Sequence, residues 1–195
     1  MSETKFRSFE KIEPSDLVRL REIALADLDS LFDRIPRLAP LKTHLLLLCL
    51  CQGSALHYAK ATRGVQDFDV WAFFRKSAEV GSFPWRRISR ADFGGSKFWR
   101  NPEDGERFNG RRIDMLGRSI YAAASEAPTH ALCRYLQKKP TQTAVALSER
   151  PVVVISEGGD FGKVIWPGTK NEPWTGEFFA TEADAVAAGR MSDRR

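Results

Sequence analysis

Two carboxylates one residue apart, in Asp67-Phe68-Asp69, open an apolar run that reaches Phe74. In an extended chain alternate side chains share a face, so Asp67 and Asp69 project together while Phe68 and Val70 point the other way, into a core. Like charges held that close repel and raise each other's pKa, a cost that a divalent cation between them removes. Ligation by oxygen alone suits Mg2+ or Mn2+. A third carboxylate, Asp114, lies in Arg111-Arg112-Ile113-Asp114-Met115-Leu116, an apolar-flanked run that can pair beside the Asp67 strand.

The elements that must position these acids begin upstream. Leu45 to Cys51 is a continuous apolar run, which predicts a strand covered on both faces. Gly53-Ser54 then makes a turn into a short helix over Ala55 to Ala61, and the Asp67 strand follows. Glycine lets the backbone approach a ligand, and amides at a helix N-terminus suit phosphate, to which the Ser54 hydroxyl can add a donor. A plain turn with a helix cap is the competing reading of this pair. His57, Lys60 and Arg63 supply cations on or just after the helix, either for a triphosphate or as a solvated face.

Gly53-Ser54, twelve intervening residues, Asp67-Phe68-Asp69 between hydrophobics and a later strand-borne Asp114 together resemble the signature of the DNA polymerase beta-type nucleotidyltransferase superfamily. The resemblance covers residues 41–119; the position before the glycine, usually hydrophobic in that family, is Gln52. It implies an α+β fold with a nucleotidyltransferase-like mixed β-sheet flanked by helices, and a C-terminal helical and strand extension over 120–195 within a single domain of 1–195. It also implies transfer of a nucleoside monophosphate from a nucleoside triphosphate to an acceptor hydroxyl, with release of pyrophosphate. Asp67, Asp69 and Asp114 would then be catalytic and would hold Mg2+ or Mn2+, with Gly53, Ser54, Lys60 and Arg63 contacting the nucleotide. Relatives transfer to nucleic-acid ends, antibiotics, proteins and, in some toxin-antitoxin systems, tRNA, so the acceptor and the base stay open. Two other readings stand beside this one: a nucleotide- or RNA-binding module that keeps the fold without catalysis, and an unrelated protein whose acids pair with Arg111 and Arg112 as a structural ion network.

The net charge of +5 is concentrated between Arg75 and Ser119, where eleven basic residues face six acidic ones. That segment is where a triphosphate, RNA or another polyanionic acceptor would bind. Phe83-Pro84-Trp85-Arg86-Arg87 and Phe98-Trp99-Arg100 interleave aromatics with arginines, as in single-strand binders and equally as in a core bordered by exposed arginines. The three cysteines, Cys49, Cys51 and Cys133, have neither metal nor redox spacing and read as buried structural thiols. The charged N-terminus shows no secretory pattern and Leu45 to Leu50 is too short to span a bilayer, so a cytoplasmic address without a membrane partner is expected.

Elsewhere the pattern predicts loose attachment up to Ile12 and an amphipathic helix from Pro14 to Pro36 whose Glu22, Asp27 and Asp29 face solvent. Antiparallel strands are expected at Phe93 to Arg100 and Arg107 to Met115, about a turn at 101–105. Helices near Thr129 to Tyr135 and Thr141 to Leu147 come next, then a strand at Pro151 to Ile155 with Val164 to Pro167 as its partner or a docking segment, and a tail after Trp174 that ends in a charged, frayed Arg190 to Arg195.

Overall fold

The computed structural model describes residues 6–84 and 89–166. Trp85, Arg86 and Arg87, and the tail after Trp174, lie outside the described residues. Helix α1 (Pro14–Arg34) starts with proline at its first turn, and the Glu13 amide donates to Asp16 Oδ2 at 2.7 Å. Its Leu17, Leu20, Ala24, Leu28 and Leu31 recur at helical spacing and are all buried. Asp29 pairs with Lys42 at 2.7 Å; Asp27, expected in solvent, is half-buried and accepts from Ser89 Oγ at 2.8 Å.

A 3-10 segment (Pro36–His44) leads into β1 (Leu45–Cys51), followed by α2 (Gln52–Lys60) and β2 (Phe68–Arg75). Then come β3 (Ser89–Asp92), a short 3-10 turn (Pro102–Asp104), β4 (Arg112–Ile120), α3 (Pro128–Lys138), α4 (Gln142–Leu147), β5 (Val152–Val154) and β6 (Val164–Trp166). The six strands form one mixed sheet in the order β3-β4-β2-β1-β5-β6, in which only β2 and β4 run parallel. The fold is α+β, a six-stranded mixed sheet flanked by helices.

The apolar run of β1 explains the layering. Leu48 and Leu50 join Phe68, Val70, Ala72 and Phe74 of β2 against α1 and α2. Leu47, Cys49 and Cys51 join Trp71 and Phe73 against α3 and α4. Both faces of the central strands are therefore covered, as a continuous hydrophobic strand requires. Cys49 and Cys51 are fully buried free thiols.

Two sequence expectations are corrected. Residues 93–111 do not contain the predicted strand at Phe93 to Arg100; the antiparallel partner of β4 is the shorter β3, and apart from the 3-10 turn at Pro102–Asp104 the rest is loop. Phe93 and Phe98 leave the sheet to pack on the Phe68 ring, at 4.9 and 5.2 Å between centroids, and Asp92 accepts from the amides of Gly94, Asn109 and Gly110 to close the loop. The arm before α1 is docked from Phe6 onward. Ser8 bridges Val65, Ile12 is 3% exposed, and the Glu10 carbonyl accepts from His57 Nε2 at 3.0 Å.

Candidate functional site

The parallel register of β2 and β4 sets Asp69 directly beside Asp114, and the antiparallel register of β1 and β2 sets Asp69 opposite Cys51, immediately before α2. Strand alternation puts Asp69 on the face of Trp71 and Phe73, and Asp114 on the face of Leu116. The acids thus lie on the α3 and α4 side of the sheet, at the end where β2 and β4 begin. Asp67 precedes the first residue of β2 and joins them through Arg112, whose Nη2 donates to Asp67 Oδ2 at 2.6 Å and to Asp114 Oδ2 at 3.2 Å. The spacing Arg112-Ile113-Asp114 puts both polar side chains on one face of β4, so this pairing follows from strand geometry.

Arg112 also donates through Nη1 to Asp104 Oδ1 at 2.5 Å, which brings a fourth acid, only 3% exposed, into the cluster. Among the described residues no ion pair reaches Asp69, while Arg90 Nε lies 3.7 Å from Asp114 Oδ1. Burial first, then the neighbouring Asp67 and Asp114 charges, push the Asp69 carboxyl up to about 8 against the opposing pull of Arg112 and Arg150. Burial raises Asp114 as well, with Asp67 adding to it and Arg112 opposing. For Arg112, burial is outweighed by Asp114, Asp67 and Asp104, and its pKa rises.

Three carboxylates, Asp67, Asp104 and Asp114, therefore hold one guanidinium with Asp69 beside them, and Asp114 Oδ1 is buried without a hydrogen bond although Arg112 Nε lies 3.0 Å away. The unsatisfied oxygen and the all-oxygen donor set fit a hard divalent cation. In the present arrangement Arg112 stands between Asp67 and Asp114, and among the described residues no three acidic, histidine or cysteine side chains converge on a metal position. Asp67, Asp69 and Asp114 are the residues that could hold one, once Arg112 releases the first and the last.

The other predicted residues divide. Gly53 lies in the first turn of α2, beside the acids; a methyl group built on it would come within 3.9 Å of Arg150 Nη1. Ser54 is 1% exposed, donates to the Cys51 carbonyl at 3.1 Å and accepts from the Asp69 amide at 3.5 Å, so it links the α2 turn to the acid strand. Lys60 ends α2 and Arg63 follows it, seven residues or more from Gly53 and so roughly 10 Å farther along the helix axis. Arg63 lies beyond the helix, four residues before Asp67. His57 is buried: its Nδ1 accepts from the Gly64 amide at 3.1 Å, which leaves Nε2 to donate to Glu10, and both ring nitrogens are spent on the fold.

Asp104 and Arg150 are what the sequence reading missed, whereas the pairing of Arg112 with Asp67 is the one the ion-network reading expected. Arg111, proposed beside Arg112 in the ion-network reading, is instead fully buried and donates to the carbonyls of Phe98, Phe6 and Gln66. Gln52, the departure from the family pattern, takes a left-handed backbone conformation (φ 58°) where β1 turns into α2. A side chain there costs on the order of 1 kcal/mol, so the junction is strained next to the acids. Of the aromatic-arginine segments, Phe83 and Phe98 are core residues, whereas Trp99 is 46% exposed with Arg111 4.8 Å from its ring centre. Among the described residues no helix is long and apolar enough to cross a membrane. Compared with protein-family models, with curated proteins and with solved structures, the chain matches none.

Proposed function

We propose that the chain is a metal-dependent nucleotidyltransferase that moves a nucleoside monophosphate from a nucleoside triphosphate to an acceptor hydroxyl, releasing pyrophosphate, on a nucleotidyltransferase-like sheet. The observation that carries this reading is the Asp69 and Asp114 pair, side by side at the start of parallel strands on the α3 and α4 side of the sheet and next to the turn that holds Gly53. A divalent cation there would neutralise the phosphates and the leaving pyrophosphate. Asp67 and Asp69 would orient the triphosphate, and Asp114 would hold the attacking hydroxyl and draw its proton. Arg150, beside Gly53, would add a positive side chain on the phosphate side. Arg112 restrains Asp67 and Asp114 at rest and must give them up when substrate enters. The basic segment between residues 75 and 119 supports a polyanionic acceptor, with RNA the first to try.

The Arg112 bonds to Asp67, Asp104 and Asp114 favour a second reading, an ion network that holds a non-catalytic nucleotide- or RNA-binding module together. Incubation with each α-labelled nucleoside triphosphate, Mg2+ or Mn2+ and a pool of RNA, protein and small molecules separates the two. Label transfer that disappears in Asp69→Asn is the expected result. The absence of both transfer and metal-dependent nucleotide binding would overturn the transferase and leave the network.

A further inference from the structure

Beyond Asp69 and Asp114 along the same face of the sheet, the next registered pair is Trp71 and Leu116, about 7 Å away at two strand residues. These two side chains floor a cavity of about 260 Å³, whose remaining walls are Gln52, Gln142, Thr143, Ala146 and Leu147. Phe73 stacks on the Trp71 ring at 6.0 Å and 19° and does not itself line the cavity. The walls are aromatic and aliphatic, and the polar groups are two carboxamides and a hydroxyl. Each carboxamide offers a donor and an acceptor.

We propose that this cavity seats the planar base of the nucleoside whose phosphates lie at Asp67, Asp69 and Asp114. The proposal rests on the transferase reading for the phosphate side and on the cavity itself for the base. A base has two apolar faces and an edge that alternates donors and acceptors, which matches a Trp71 and Leu116 floor bordered by Gln52 and Gln142. The cavity floor is two strand residues from Asp69 and Asp114 on the same face, and Gln52 of its wall is next to Gly53, so one nucleotide is long enough to reach both. Gln52 has a special position, because its strained backbone turns the chain from the cavity wall into the helix that carries Gly53.

The test separates base from phosphate. Ala146 and Gln142 are exposed on α4 and can be changed with little effect on folding. Binding of the four common nucleosides, without metal, is followed by saturation-transfer NMR for the full chain, Ala146→Trp and Gln142→Ala; binding of inorganic tripolyphosphate with Mg2+ is followed in parallel by calorimetry. The expected result is saturation of base protons in the parent chain, at least a tenfold loss of nucleoside binding in Ala146→Trp and a smaller loss in Gln142→Ala, with tripolyphosphate binding the same in all three. Nucleoside binding that is absent in the parent chain, or equal in parent and Ala146→Trp, would overturn the proposal. Nucleoside binding without any tripolyphosphate binding would uphold the cavity and overturn the transferase reading, while tripolyphosphate binding alone would do the reverse.

Discussion

Asp69 is where the chain carries an electrostatic cost without a counter-ion in contact. Its carboxyl is raised to about 8 by burial, Asp67 and Asp114. A group whose pKa is raised on folding favours the folded state most at pH values below its ordinary value, near 3.9, and that contribution is lost as pH climbs through the folded value. Without metal, the protein should therefore lose stability between roughly pH 4 and pH 8 on account of this residue. Asp69→Asn removes the ionisation, so in urea melts with a chelator the variant should match the parent near pH 3 and exceed it by on the order of 5 kcal/mol at pH 9. An equal difference at both pH values would mean that Asp69 is already ionised and compensated in the folded chain. The clustering of this residue with Asp114 was legible in the sequence, because two acids at strand starts with apolar neighbours leave few other arrangements. Its isolation was not, since that depends on Arg112 turning to Asp67, Asp104 and Asp114 instead.

Among the elements, the loop between β3 and β4 shows where pattern reading failed. Aromatics at Phe93 and Phe98 suggested a strand, but both rings pack on Phe68, and Gly94, Gly105 and Trp99 take positive φ values that a regular strand does not contain. Gly110 meets the backbone of Gly94 so closely that no side chain fits, a contact that no local periodicity reveals. The clasp is Asp92. Burial pushes its carboxyl up, but the amides of Asn109, Gly94 and Gly110, with the Arg19 charge, bring it below the usual range overall. A depressed carboxylate stabilises the fold above its unfolded pKa and stops doing so as pH falls through the lowered folded value. Asp92→Ala should cost roughly 2 kcal/mol near neutrality, the scale of charge-assisted hydrogen bonds lost at a partly exposed site, and the gap should shrink as pH falls below the ordinary carboxylate range. Hydrogen exchange at the Gly94, Asn109 and Gly110 amides reads it directly; unchanged protection in the variant would show that the aromatic packing, not the carboxylate, holds the loop.

For the whole molecule, the apolar run of Leu45 to Cys51 announced a strand covered on both sides, and the two clusters on either face of β1 and β2 agree. What covers the second face was harder to read, because α3 and α4 are short and Pro128 and Pro140 break their periodicity. The structure gives residues 120–166 more than a covering role. β5 pairs with β1, β6 pairs with β5, Ser156 Oγ accepts from the Leu48 amide at 2.6 Å, and the Trp166 indole donates to the Ser148 carbonyl at 3.0 Å. A chain ending after Ile120 would expose Leu47, Cys49, Cys51, Trp71 and Phe73 and leave β1 as a bare edge, two features that favour association over folding. Such a truncation should show no cooperative thermal transition and should self-associate in sedimentation, even though it retains Asp67, Asp69 and Asp114. A monomeric, cooperatively folding 1–120 fragment would instead make the acid-bearing core an independent unit, with the rest a separable cover over its α3 and α4 face.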